Sequence, residues 1–294
     1  MKTVKLFGGL GNQMFQYAFL RSLATRTGDV VCIDSSFLRD DSLHNGYELG
    51  RVFGISLSEA PPKEVARLSV PPSSLVQRFR RKYLTKRSHL IDKKFGYQPE
   101  LLELAGDRYF EGYWQSERYF EGINDEIRRD FTFRKPLDER NLALLRDLPR
   151  PIASIHVRRG DYLKYPNLNI CGPGYFENAL ACLDSRQSVS SFIVFSDDIE
   201  YCKATLRLGA NPAAFVDWNT GVESWQDMAL MARCDHHIIA NSSFSWWGAW
   251  LNADPAKVVV APAVWNRRQL SSHDRYYRFN FDDVVPTTWL RAEN

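Results

Sequence analysis

Apolar runs and the breaks between them divide this chain into alternating strands and helices. Val4 to Phe7 reads as a short strand that enters the tight loop Gly8-Gly9-Leu10-Gly11-Asn12-Gln13. From Met14 to about Arg26, Phe15, Phe19, Leu23 and Ala24 recur at helical spacing, and Gly28 closes the helix. Val30-Val31-Cys32-Ile33-Asp34 is the next strand, which completes a βαβ unit. Residues 35 to 149 are less regular, with breaks at Pro61-Pro62 and Pro71-Pro72. After Pro149-Arg150-Pro151 the pattern is clean. Strands are predicted at 152–158, 191–196, 213–217, 237–240 and 257–261. Helices are predicted at 174–185, 198–208, 224–234 and 243–252. Strict alternation predicts an α/β fold with a parallel sheet and helices on both faces. The Pro-Arg-Pro segment predicts two domains, 1–149 and 150–294.

Composition narrows the class. A chain of 294 residues with 44% hydrophobic and 13% aromatic content packs a substantial core. A net charge of +3 gives no reason to expect nucleic acid. Cys32, Cys171, Cys182, Cys202 and Cys234 are odd in number and contain no C-x-x-C pair. That excludes a zinc-type spacing and suits a reduced compartment. The start shows no signal-peptide pattern and no run approaches the ~20 apolar residues of a membrane span, so a cytoplasmic location is expected. Segment 77–94 is strongly basic, with Arg78, Arg80, Arg81, Lys82, Lys86, Arg87, Lys93 and Lys94 against Asp92. It reads first as a solvated helix face. Weak contact with an anionic membrane surface is the sharper alternative.

Candidate chemistry gathers at predicted strand ends. His156-Val157-Arg158-Arg159-Gly160-Asp161 closes the apolar strand that begins at Ile152. Unpartnered charges there are costly, and in open α/β sheets the carboxyl edge of the strands is where ligands bind. Paired guanidinium forks suit a pyrophosphate. The bland alternative is a salt-bridged strand end in which Asp161 holds an arginine. Asp197 and Asp198 end the next strand. A carboxylate there can accept hydrogen bonds from guanine or a ribose diol, and one of the two is expected to cap the following helix. Ser242, Ser243 and Phe244 open a helix after a third strand, which makes an anion site or a plain cap. Trp246, Trp247 and Trp250 are expected in the core.

The loop with Gly9, Gly11, Asn12 and Gln13 lacks the third glycine of a dinucleotide fingerprint. That weakens an oxidoreductase reading. There is no Walker-type loop, no Asp-x-Asp pair and no G-x-S-x-G elbow. His236 and His237 alternate along a strand and cannot readily share one metal. Three strand ends of one sheet and a glycine loop therefore describe a nucleotide diphosphate held by arginine in place of metal.

These motifs together are specific. Gly8-Gly9-Leu10-Gly11-Asn12-Gln13-Met14-Phe15-Gln16-Tyr17-Ala18, Gly112-Tyr113-Trp114-Gln115-Ser116, His156-Val157-Arg158-Arg159-Gly160-Asp161-Tyr162, Phe195-Ser196-Asp197-Asp198 and Ser242-Ser243-Phe244-Ser245-Trp246-Trp247-Gly248 resemble those of the α-1,2-fucosyltransferases, glycosyltransferase family 11. The resemblance implies a GT-B architecture, two Rossmann-like domains with a cleft between them. It implies GDP-β-L-fucose as donor, the 2-hydroxyl of a galactose-terminated glycan as acceptor, inversion at the fucose anomeric carbon, and no cofactor or metal. It implies that Arg158 holds the β-phosphate beside His156. Asp197 or Asp198 would then read guanine. Ser242, Ser243 and the Phe244 backbone would bind phosphate, with Gly9, Gly11, Asn12 and Gln13 close to the pyrophosphate. Asp161, Glu111 and Asp34 are candidate bases. Rival readings are a fucosyltransferase of another linkage and a non-catalytic GDP-sugar-binding module.

Overall fold

The computed structural model describes residues 1–39, 44–70, 86–270 and 279–294. Part of the basic segment, residues 77–85, and Pro71-Pro72 lie outside the described residues. The chain forms two compact units, Met1–Arg134 and Lys135–Asn294. The division falls upstream of Pro149-Arg150-Pro151, and the reason is local bonding. Ser191 Oγ donates to the Pro149 carbonyl at 2.7 Å, and the Ile152 N–H donates to Asp235 Oδ2 at 2.6 Å. The Pro-Arg-Pro segment is thus stitched into the second unit.

Unit 1 is a four-stranded parallel sheet of order β2-β1-β4-β3. Its strands are β1 (Lys2–Lys5), β2 (Val31–Asp34), β3 (His89–Ile91) and β4 (Arg108–Glu111). The helix Leu10–Thr27 starts four residues before its predicted start, because the glycine loop itself turns into the first helical turn. Gly28 ends it with φ at 65°, a left-handed conformation that glycine adopts at little cost. Phe19 stacks on Trp114 at 4.4 Å and meets Phe110 and Tyr119 edge-on.

Unit 2 is a six-stranded parallel sheet of order β10-β9-β8-β5-β6-β7. Its strands are β5 (Ile152–Val157), β6 (Ser191–Ser196), β7 (Ala213–Val216), β8 (His236–Ile238), β9 (Val259–Pro262) and β10 (Leu290–Ala292). β5 is buried along its whole length, as expected of a strand covered on both faces. The chain runs outward from β5 through β6 and β7, then returns to lay β8 on the other side of β5. The β5/β8 boundary is therefore a topological switch point, the usual crevice for ligands in open α/β sheets. Trp246 and Trp247 are wholly buried, and Trp246 Nε1 donates to the Val284 carbonyl at 2.8 Å. The expected core role of these tryptophans holds. His237 is held by Ser154 Oγ at 2.8 Å and Asn252 Nδ2 at 2.9 Å. His236 accepts from the Val258 N–H. Both histidines are satisfied separately.

A buried polar network joins the helices Glu139–Asp147 and Trp225–Met231. Asn141 Nδ2 donates to Asn219 Oδ1 and Gln226 Oε1 at 3.0 and 2.9 Å. Asn219 Nδ2 donates to Asp227 Oδ1 at 2.8 Å. Burial pushes the Asp227 carboxyl up to about 7, against the opposing effect of that hydrogen bond. The folded state then holds a proton that the unfolded chain releases near pH ~4. Stability is fully present below that pH and falls as pH rises through about 7. Asp227→Asn keeps an acceptor for Asn219. It should flatten this slope and raise stability at pH 8 by on the order of 2 kcal/mol, from ~1.4 kcal/mol per pKa unit less relaxation. Melting of both proteins at pH 5 and pH 8 checks this. A parallel pH dependence in the two would remove Asp227 as its source.

Candidate functional site

The β5/β6 register pairs Val157 with Ser196. Arg158 and Arg159 therefore leave the sheet beside Asp197 and Asp198. Arg158 Nη1 lies 3.0 Å from Asp197 Oδ2, and its Nη2 lies 2.6 Å from Asp161 Oδ1. Its side chain stays about a third exposed (34%), so guanidinium N–H groups remain for a ligand. Arg159 is used differently. Its Nε donates to Asp198 Oδ2 at 3.0 Å, and its guanidinium lies 3.5 Å from the centre of the Tyr201 ring. The two adjacent arginines thus separate in role: Arg159 locks the β6 exit, and Arg158 faces outward within a carboxylate frame.

The sequence offers two roles for Asp161, a candidate base or the partner of one of the two arginines, with Arg159 the expected one. The structure pairs it with Arg158 instead, because the turn after Gly160 becomes the 3₁₀ segment Asp161–Lys164, three residues along. Asp198 is the cap of the helix Ile199–Thr205, since its Oδ1 accepts the Tyr201 N–H at 3.1 Å. Asp197 accepts the Arg159 N–H at 2.9 Å through Oδ1 and keeps lone pairs for a further donor. Gly160 is needed here: a Cβ would sit 2.6 Å from Asp197 Oδ2.

His156 is the most constrained group at this edge. It is buried, and its Nδ1 is enclosed without a hydrogen-bond partner among the described residues. Burial, then the Arg158 charge, lower its pKa to about 3, so the ring is neutral across the physiological range. A buried polar nitrogen left unpaired costs about 1–3 kcal/mol, which a ligand hydrogen bond would recover. The Phe244 ring lies 6.0 Å away. It comes from the helix Ser243–Leu251, which Ser242 caps by accepting the Phe244 N–H at 3.3 Å. The Phe244 backbone amide is thus already engaged by a cap, the plainer of its two readings. Ser243, half-buried, stands beside it at the helix start.

Asn241 escaped the sequence reading as an actor. It is buried and donates to the Leu168 and Trp265 carbonyls, both at 3.0 Å. Its own carbonyl accepts the Tyr162 hydroxyl at 3.1 Å. It ties the β8 exit to the loop that follows Arg158–Asp161. Its place between strand and helix was the one available signal.

The glycine loop belongs to unit 1. Gly8 has φ at 77°, and a Cβ there would meet Asn12 Nδ2 at 2.6 Å. Asn12 Oδ1 accepts from Gln115 Nε2 at 2.9 Å, which links the loop to the Gly112–Ser116 motif. Gln13 is wholly buried and donates to the Gly8 and Gly46 carbonyls at 2.9 and 2.8 Å. It also accepts the Glu48 N–H at 2.9 Å. All three bonds are internal, so Gln13 braces the turn from within. The carboxylate of Glu48, itself buried, accepts from the Leu10 N–H. The chain thus supplies its own hydrogen-bond acceptor to the first helical turn that Gly9 and Gly11 open. Asp34 accepts from the Tyr109 hydroxyl at 2.6 Å, and Glu111 pairs with Lys5 and His89. Among the described residues no helix is long and apolar enough to cross a membrane.

Residues 78–283 match the sequence model of glycosyl transferase family 11. An alpha-1,2-colitosyltransferase of Escherichia coli is 30% identical, over 99% of this chain and 98% of its own length. Galactoside 2-alpha-L-fucosyltransferase Sec1 of Mus musculus is 28% identical over 85% of this chain and 64% of its own length. Among solved structures, the alpha-1,6-fucosyltransferase NodZ soaked with GDP-fucose aligns over 85% of this chain and 92% of that one. That alignment has 17% identity and a TM-score of 0.49.

Proposed function

The chain belongs to glycosyl transferase family 11, and from that premise we propose that it transfers L-fucose from GDP-β-L-fucose to the 2-hydroxyl of a terminal β-galactoside. The observation that carries this reading is the β5/β6/β8 edge of unit 2. There the enclosed Nδ1 of His156 lies in the same strand end as the framed, outward Arg158. We extend the proposal to a GT-B architecture, with the donor taken by unit 2 and the acceptor by unit 1. Arg158 binds the β-phosphate, His156 donates or accepts one hydrogen bond as a neutral ring, and Asp197 accepts from guanine or ribose. Ser243 adds a hydroxyl at the helix start.

The chemistry is a direct displacement. The bond from the fucose anomeric carbon to the GDP β-phosphate oxygen breaks, and its electron pair leaves with GDP. The acceptor oxygen bonds to that carbon from the opposite face and loses its proton to a base or to solvent. Negative charge grows on GDP as the bond lengthens, so Arg158 binds the transition state more tightly than the ground state. We propose that no metal is required, because guanidinium supplies the positive charge.

The test is GDP release from GDP-fucose, with and without lactose or N-acetyllactosamine, in EDTA. Acceptor-dependent release that survives EDTA, with an α-1,2 linkage in the product, is the expected outcome. Release only with a metal overturns the metal-free part. Binding of GDP-fucose without turnover on any β-galactoside overturns the acceptor. The colitosyltransferase relative makes a colitosyl nucleotide the rival donor, and faster turnover with it would replace fucose.

A further inference from the structure

Unit 1 carries a feature that the proposed donor site does not use. Each of its four parallel strands exits into one aromatic residue: Phe37 after β2, Phe7 after β1, Tyr113 after β4 and Phe95 after β3. That is also the spatial order of the strands. The rings meet one another along the edge. Phe37 and Phe7 lie 6.4 Å apart edge-on, Phe7 and Tyr113 4.8 Å apart edge-on, and Tyr113 and Phe95 5.6 Å apart and stacked. Phe37 is 52% exposed and the other three are half-buried.

The backbone takes up left-handed conformations in and next to this row. Phe95 has φ at 60° and Trp114, next to Tyr113, has φ at 54°. Bulky side chains rarely adopt that region, and such strain collects at functional sites. Asp92 Oδ1 holds the Phe95 turn by accepting the Phe95 and Lys94 N–H groups at 2.9 and 3.2 Å.

Polar groups flank the row. Lys5 Nζ lies 4.9 Å from the Phe37 ring centre, 5.6 Å from that of Phe7 and 3.3 Å from Glu111 Oε1. Glu111 Oε2 lies 3.0 Å from His89 Nε2, and the ring is oriented by the Val70 N–H at its Nδ1. A row of aromatic rings whose outermost member, Phe37, is exposed, beside a carboxylate and an ammonium, suits a pyranose. In a galactoside the axial 4-hydroxyl leaves three ring C–H groups on one face, and their slightly positive hydrogens meet the negative face of an aromatic ring. The hydroxyls at the rim need charged or polar partners.

We propose that this aromatic row is the acceptor subsite, seating the C–H face of the terminal β-galactoside on the exposed Phe37 ring, with Phe7 beside it edge-on, while Glu111 and Lys5 take its hydroxyls. The proposal rests on the galactoside-acceptor reading above. The test compares wild type, Phe37→Ala and Phe37→Tyr as full-length proteins, by acceptor KM, donor KM and saturation-transfer NMR with lactose. Phe37→Ala should raise the lactose KM about fivefold to tenfold, the scale of one aromatic contact. It should shift the GDP-fucose KM less than twofold and weaken the transfer signal on the galactose ring. Phe37→Tyr should restore all three. A lactose KM within twofold of wild type in Phe37→Ala overturns the subsite while wild-type transfer stands. Absence of wild-type transfer to every β-galactoside overturns the acceptor reading, and this subsite with it.

Discussion

Arg158→Ala should lower transferase turnover by several hundredfold or more, which is the loss seen when one strong donor to a developing anion is removed. The argument is geometric before it is chemical. Arg158 leaves the carboxyl end of β5 at the switch point, and two carboxylates hold its guanidinium from opposite nitrogens at 3.0 and 2.6 Å. Those contacts fix its orientation before substrate arrives, so little reorganisation is needed when charge appears on the proposed diphosphate leaving group. Arg158→Lys keeps the charge but loses the planar fork, and should recover only part of the rate. Arg159→Ala is the informative control. Its guanidinium is engaged by Asp198 and Tyr201, so its loss should show first in thermal stability and less in turnover. Steady-state kinetics and melts on the three variants check the assignment. Near-wild-type turnover in Arg158→Ala would refute its role, and equal rate losses in both alanine variants would refute the division of labour.

The legible part of this chain was the part governed by continuous burial. β5, β6 and the helices of unit 2 follow apolar runs with clear breaks, because a parallel strand covered on both faces needs such a run. The strands β3 and β10, three residues each, have too few positions to show a period, and their pairing comes from neighbours distant in sequence. At the site, the motif placed Arg158, Asp161, Asp197 and Asp198 at strand ends, where the structure puts them. It did not show which arginine each carboxylate takes, since that depends on the β5/β6 register and on the 3₁₀ turn at Asp161. The aromatic row of unit 1 was illegible for the same reason. Phe7, Phe37, Phe95 and Tyr113 are scattered along the chain, and only the order β2-β1-β4-β3 makes them neighbours.

Gln13→Ala should destabilise the protein by about 3–5 kcal/mol, and its main effect should be on folding. The side chain is wholly buried and makes three bonds: to the Gly8 carbonyl, the Gly46 carbonyl and the Glu48 N–H. Alanine strands all three groups, and each buried group left unpaired costs about 1–3 kcal/mol before water or relaxation recovers part of it. Those groups set the turn that leads into the helix Leu10–Thr27, so the damage extends to the loop at Gly9 and Gly11. At ~2–4 °C per kcal/mol for a chain of this size, the melting temperature should fall by on the order of 10 °C. The motif resemblance implies the other outcome, a glutamine that touches the pyrophosphate. A ligand contact of that kind would leave the melt unchanged and raise the KM for GDP-fucose. Gln13→Glu sharpens the contrast. It keeps the acceptor for the Glu48 N–H, loses both donors and adds a charge beside the buried Glu48 carboxyl, whose pKa burial already raises. That variant should melt at least as low as alanine at pH 8 and regain part of the loss as the pH falls and the carboxyl is neutralised. A pH-independent melt for Gln13→Glu, together with a donor KM defect in both variants, would place Gln13 in the binding site and overturn its bracing role.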